Sequence, residues 1–208
     1  MISDYPMIWK TCATPRHEAA RDRLYYVLGM AITRWQHIDS ALFLITHFAM
    51  QLSFDQSSRK FFDKRTAGRK LKLVDEVLKT RLHKDAYKDV WLKLKGEVKA
   101  VIKFRNGLAH FEVSFLPTLD SYADKTKYPV LISPHHNEMG AIKNGFVECL
   151  FIEEIETNAV EMVDMTYRLI YFLLDFLPTA APQMPGANEA FVDGFRFGLR
   201  DPKYARPA

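Results

Sequence analysis

Two cysteines in 208 residues, Cys12 and Cys149, are too few and too far apart for a disulfide framework or a thiolate metal site. Both read as structural, in a pattern that fits a reducing cytosol. Long apolar runs are missing too. The longest, Ala41 to Met50, contains His47 and falls well short of the about 20 residues that a bilayer-spanning helix needs. The N-terminus has no basic region followed by an uninterrupted apolar stretch, so a secretory leader is not expected. The chain is therefore expected to be cytoplasmic, with no membrane partner. There is no internal repeat and no Ser/His/Asp or Cys/His nucleophile pattern. Gly68-Arg69-Lys70 lacks the upstream glycine of a phosphate-binding loop and reads as a helix start with a basic surface. His135-His136 with Glu138 lie in a proline-bounded loop where adjacent side chains diverge, which suits a solvated turn better than a metal site. No metal and no cofactor are expected.

What is present is an ordinary globular composition, 48% hydrophobic and 26% charged, enough for one substantial core and a single domain over residues 1–208. The net charge of +4 is unevenly spread. Arg59 to Arg105 holds 16 Lys/Arg against 6 Asp/Glu, or +10, and the remainder carries −6. A basic middle is the footprint of a surface that meets phosphates. The competing explanation is a solvated helix face, because lysines 84, 88, 95, 99 and 103 follow helical spacing opposite an apolar ladder.

The periodicity predicts a mainly helical chain. After a short irregular lead to about Pro15, a long helix from about Arg16 to Leu52 buries Leu24, Leu28, Ala31, Trp35, Ile38, Leu42, Ile45, Ala49 and Leu52. Ser53 to Gly68, polar with Phe54, Phe61 and Phe62 interspersed, reads as a connection with a helical turn. A second helix runs from about Arg69 to Leu82, with Leu71, Val74, Val77 and Leu78 on its apolar side. The third starts near Lys84 and carries the ladder Tyr87, Trp91, Leu94, Val98, Val101. His37 and His47 fall on or beside the first stripe as satisfied core imidazoles, and Trp9, Trp35 and Trp91 as packing anchors.

Past His110 the period becomes alternating. Phe111, Val113 and Phe115, then Tyr128 to Ile132 and Gly145 to Ile152, predict a small β excursion over about 111–152, a hairpin or three-stranded flap between the motif helix and the last long helix. Helical spacing returns from about Glu153 to Leu177 and stops at Pro178, with Glu153, Glu154 and Glu156 suiting its N-terminus. Residues 178–208, with Phe191, Phe195, Phe197 and Tyr204, are expected to wrap the body as a tail.

The third helix closes on Arg105-Asn106-Gly107-Leu108-Ala109-His110, and Arg105 is the next rung after Val101. A guanidinium stands where a core residue is due. Arginine stays charged and a buried unpaired charge costs several kcal/mol, so a partner, a dimer interface or an anionic ligand should compensate for it.

This Arg-Asn-x-x-x-His arrangement near the end of a bundle helix resembles the HEPN superfamily, whose signature is an Arg followed after four to six residues by His; here four intervene. The Asn after the Arg and the Leu-Ala before the His match a frequent form of that signature. The resemblance covers about residues 16–110 and 153–177, leaving the β excursion and tail outside it. It implies a HEPN-like α-helical bundle of four to five helices. It also implies a metal-independent endoribonuclease, or a non-catalytic RNA- or nucleotide-binding or dimerisation module. Many members act as toxins or in phage defence, with an antitoxin or nucleotidyltransferase partner, and many are homodimers with the two motifs facing each other. Members often carry a further polar or acidic residue on an earlier helix, for which Asp39 is the candidate supporting acid.

The chemistry suits these residues. Cleaving RNA through its 2′-hydroxyl to a 2′,3′-cyclic phosphate needs proton transfer and charge stabilisation. His110 offers an imidazole for proton transfer, Arg105 can hold the phosphate by paired hydrogen bonds, and Asn106 can orient the phosphate or His110. Asn106 and His110 share a helix face, whereas Arg105 and His110 lie about 140° apart. The Arg side chain can curl across, Gly107 can loosen the turn, the helix can end at the motif, or a second copy can supply the missing group; the dimer is the favoured expectation. The structural alternative has His110 capping the last carbonyls and Arg105 paired with an acid such as Asp39.

Overall fold

The computed structural model describes residues 15–110, 112–114, 130–132 and 149–177. The lead before Pro15, the tail 178–208 and most of the excursion 111–152 lie outside the described residues. Within them the chain is mainly helical, with five α-helices: α1 Pro15–Met50, α2 Phe54–Phe62, α3 Ala67–Arg81, α4 Asp85–His110 and α5 Ile152–Tyr171. Among the described residues no helix is long and apolar enough to cross a membrane. Three short strands, β1 Glu112–Ser114, β2 Val130–Ile132 and β3 Cys149–Leu150, pair antiparallel in that order, with Glu112 opposite Ile132 and Leu131 opposite Leu150.

The helix ends have local causes. Proline at the first position of α1 has its φ preset for a helix and gives up an N–H that would go unpaired anyway. α1 stops at Met50, short of the expected Leu52, because Gln51 takes the left-handed φ of 55° while its N–H reaches the His47 carbonyl at 3.2 Å. Two residues on, Ser53 opens α2 with a capping box: its hydroxyl accepts from the Gln56 N–H and its own N–H donates to Gln56 Oε1, both at 3.3 Å. The stretch expected as a connection is thus a nine-residue helix. Thr66 caps α3 by accepting from the Arg69 N–H at 3.3 Å, and Glu154 accepts from the Phe151 N–H at 2.8 Å ahead of α5.

The chain divides into two compact units, Met1–His37 with Lys99–Met165, and Ile38–Val98 with Thr166–Ala208. The first unit packs Leu24, Val27 and Ala31 of α1 with Leu108 of α4 and Ile152, Ile155 and Ala159 of α5, with Phe104 against them. The buried stripe on α1 runs through Val27 where Leu28 was expected, and Leu28 is half-buried. Arg23 grips Glu156 through two bonds at 2.7 and 3.1 Å. In the second unit Ile38, Leu42, Ile45 and Ala49 are buried as predicted, as are Leu71, Val74 and Leu78 of α3 and Trp91, Leu94 and Val98 of α4; Phe61 of α2, in the stretch expected as a connection, is buried too. α5 continues into a π-turn, Phe172–Phe176, where the Leu177 N–H reaches back to the Phe172 carbonyl.

That second core contains a carboxylate. Asp75 is 6% exposed and receives Lys95 at 2.8 Å, Lys79 at 3.0 Å and the Trp91 indole N–H at 3.1 Å. Burial alone would raise its pKa, but the hydrogen bonds from Lys95, Lys79 and Trp91 outweigh it, and the carboxyl sits below its ordinary value.

Candidate functional site

α4 runs without interruption through the motif and ends on His110. The buried ladder on its approach is Trp91, Leu94, Val98, Ile102, so the last apolar rung before the motif is Ile102, with Val101 half-buried. Arg105 follows it one turn later and is half-buried, while Leu108 is again buried and Phe104 packs on the first unit's core. Two apolar anchors therefore pin the helix end and hold the polar motif residues on its other sides. Asn106 and His110 are exposed.

Among the described residues Arg105 has no ion pair. Its one side-chain bond runs from Nη1 to Asn106 Oδ1 at 3.5 Å, the outer limit for such a contact. A cation at a core-ladder position thus meets no carboxylate among the described residues. Because α4 is regular here, Gly107 does not break it, and Arg105 and His110 remain about 140° apart around one helix.

A different set does share a face with His110. Lys99, Lys103, Asn106 and His110 follow intervals of four, three and four, which places them within about 60° of one another. All four are exposed, and neither lysine has an ion pair among the described residues. The rest of the expected lysine stripe is engaged: Lys84 stands 5.8 Å over the Tyr87 ring, Lys88 pairs with Asp85 at 3.0 Å and Lys95 with Asp75. The free basic face narrows to the last turns of α4, beside the motif.

Asp39 belongs to the second unit, where Lys70 holds its carboxylate at 2.5 Å. The same ammonium stands 5.0 Å over the Phe61 ring and 4.9 Å over Phe62. His47, expected as a satisfied imidazole, is half-buried with Nδ1 3.0 Å from Ser57 Oγ. The Ser57 hydroxyl donates to the Ser53 carbonyl, so it accepts from Nδ1–H, and burial lowers the His47 pKa. Trp35 and Trp91 are both buried, in keeping with packing anchors, whereas Trp9 and the His135-His136-Glu138 group lie outside the described residues. Among the described residues no cluster of three or more His, Cys, Asp or Glu could hold a metal ion.

Two features escaped the sequence patterning. Arg34, one turn beyond Ala31 on the buried side of α1, has its Nη1 buried with no hydrogen-bond partner among the described residues. The signal available was another cation on an apolar stripe. In the second unit, Lys93 and Leu94 of α4 with Arg168, Tyr171, Phe172 and Phe176 line an open cleft of about 390 Å³ at the π-turn, and Arg168 is paired with Glu97. Nothing local to either helix announces it. Compared with protein-family models, with curated proteins and with solved structures, the chain matches none.

Proposed function

We propose that this protein is a HEPN-type, metal-independent endoribonuclease that cleaves RNA by attack of the 2′-hydroxyl, leaving a 2′,3′-cyclic phosphate. The carrying observation is Arg105, a half-buried guanidinium without a carboxylate partner among the described residues, on the same helix end as exposed Asn106 and His110. In this reading Arg105 binds the scissile phosphate and opposes the charge of the phosphorane, and His110 transfers the proton. Asn106 orients the phosphate, and Lys99 and Lys103 extend a phosphate track along the His110 face. The reading needs no proton from Asp39.

The 140° between Arg105 and His110 favours a homodimer in which each chain completes the other's site. Exposed Tyr25, Tyr26 and Ile32 on α1, at 52%, 72% and 48%, give the motif-bearing unit an apolar surface suited to such a contact. The excursion about 111–152, of which the three paired strands are part, is then a small flap leaving the motif helix directly after His110. A cytoplasmic toxin or phage-defence effector held in check by an antitoxin or nucleotidyltransferase is the setting this activity would call for.

The second reading is a non-catalytic RNA- or nucleotide-binding module. It is favoured by the aromatic cleft with Lys93 and Arg168, whose volume falls in the range of small-ligand sites. Incubating mixed tRNA and mRNA with the protein in excess EDTA, and mapping the product ends, separates the two. Cleavage by wild type but not by His110→Ala, with cyclic phosphate ends, is the expected result. Intact RNA with both proteins folded refutes the nuclease and leaves the binding module.

A further inference from the structure

The second unit exposes two phenylalanines that its core does not require. Phe61 is fully buried and anchors α2, while Phe54 and Phe62 are 54% and 52% exposed. Both pack on one support: Phe43, itself 6% exposed, meets the Phe54 ring edge-on at 5.3 Å and the Phe62 ring at 5.3 Å with an interplanar angle of 36°. Both exposed rings thus lean on Phe43, at 5.3 Å each, which keeps their centroids within about 11 Å of one another. Lys70, at the start of α3, bridges back over Phe62, so the two helix ends form one corner. Ser53 to Lys70 holds six Lys/Arg and two Asp/Glu. Of those cations Arg59, Lys64, Arg65 and Arg69 have no ion pair among the described residues.

We infer that this corner is a binding surface for single-stranded RNA, with Phe54 and Phe62 stacking on bases and Arg59, Lys64, Arg65 and Arg69 holding phosphates. Apolar planes set among unpaired cations match a polyanion that offers unstacked planar faces. A duplex does not offer them, since its bases are already stacked, whereas every base of a single strand presents a π-face. The choice of RNA over DNA rests on the ribonuclease reading; the surface itself does not depend on cleavage. It belongs to the second unit, whereas Arg105 and His110 belong to the first.

The test is fluorescence anisotropy of a labelled single-stranded RNA 12-mer with full-length His110→Ala protein, so that cleavage does not enter. Phe54→Ala and Phe62→Ala should each weaken binding by about 5- to 150-fold, and Phe54→Tyr and Phe62→Tyr should retain it. Arg59→Gln and Arg65→Gln should each reduce the slope of log affinity against log salt by about 0.7. Circular dichroism melts of the same variants identify any loss that is only unfolding. Tighter binding of a single-stranded DNA 12-mer of the same sequence overturns the choice of RNA, and equal affinity in the folded ring variants, or no binding by the parent protein, overturns the proposal. So does a ring variant that abolishes self-association in sedimentation while RNA affinity stays the same, which makes the patch a protein contact. Binding here with no cleavage in EDTA leaves this surface standing and removes the nuclease; cleavage with unaffected ring variants does the reverse.

Discussion

Arg105 carries charge where the α4 ladder calls for an apolar side chain, and one long bond to Asn106 does not neutralise it. A residue retained for stability should not look like this. Replacing it by leucine, Arg105→Leu, is expected to raise stability in urea by about 1 kcal/mol, because a half-buried charge without an ion pair among the described residues is exchanged for an apolar side chain on the ladder. RNA cleavage should be lost in the same variant. A fall in stability would return Arg105 to a structural role. Arg105→Lys keeps the charge but not the planar fork, and cleavage should drop by about 10²-fold or more.

Two residues of the second unit set its pH response. Asp75 sits below its ordinary pKa, so its contribution to stability is fully present above the unfolded value near 3.8 and is lost as pH falls through the folded one. Asp75→Asn should cost about 3 kcal/mol at neutral pH by leaving Lys95 half-buried and uncompensated. For His47 the sign comes from burial, which favours the neutral ring. The unfolded chain takes up the proton first, and stability falls as pH drops below about 6.5. Chemical denaturation from pH 3 to 8 should show both slopes, and His47→Gln should flatten the upper one alone.

Among the elements, α2 shows what patterning reads and what it passes over. Its cap is written in Ser53-Phe54-Asp55-Gln56, a capping box, yet the segment after it lacks the apolar run that normally completes the signature. Charge dominates the window, and one buried ring, Phe61, fastens the helix. Ser53→Ala removes the acceptor for the Gln56 N–H and should lower stability by about 1 kcal/mol in thermal melts. α4 gives the opposite lesson. Its ladder and its polar ending are readable from spacing, but the rung at Ile102 rather than Val101 depends on which side of the helix the neighbours occupy. The lysine stripe divides for the same reason. Lys95 turns to Asp75, twenty residues away, and Lys99 and Lys103 find no acid among the described residues.

For the whole molecule, the prediction that follows from 140° on an uninterrupted α4 is complementation. Mixing inactive Arg105→Ala and His110→Ala proteins, with subunit exchange, should restore about a quarter of wild-type cleavage, because half the dimers are mixed and each contains one complete site. Absence of recovery despite exchange measured by mass spectrometry would show that one chain supplies both groups. A strictly monomeric active protein would exclude the shared site altogether.

The sequence by itself determined the helical periods, the start of α1 near Pro15 and the Arg105–Asn106–His110 motif; it also holds the local caps, Thr66 before α3 and Glu154 in the first turn of α5, though its apolar spacing placed the α3 start only near Arg69. Those features arise from residues within a few positions of one another, where backbone geometry alone sets the neighbours. Tertiary structure decided which charges are spent and which remain free. Asp39 meets Lys70 across 31 positions, and Asp75 meets Trp91 across 16. Among the described residues Arg34 Nη1 is buried without a hydrogen-bond partner and Arg105 has no ion pair, while Phe54 and Phe62 stay exposed beside buried Phe61. Pairing and burial are properties of the packed neighbours, and a periodic pattern along one helix does not contain them.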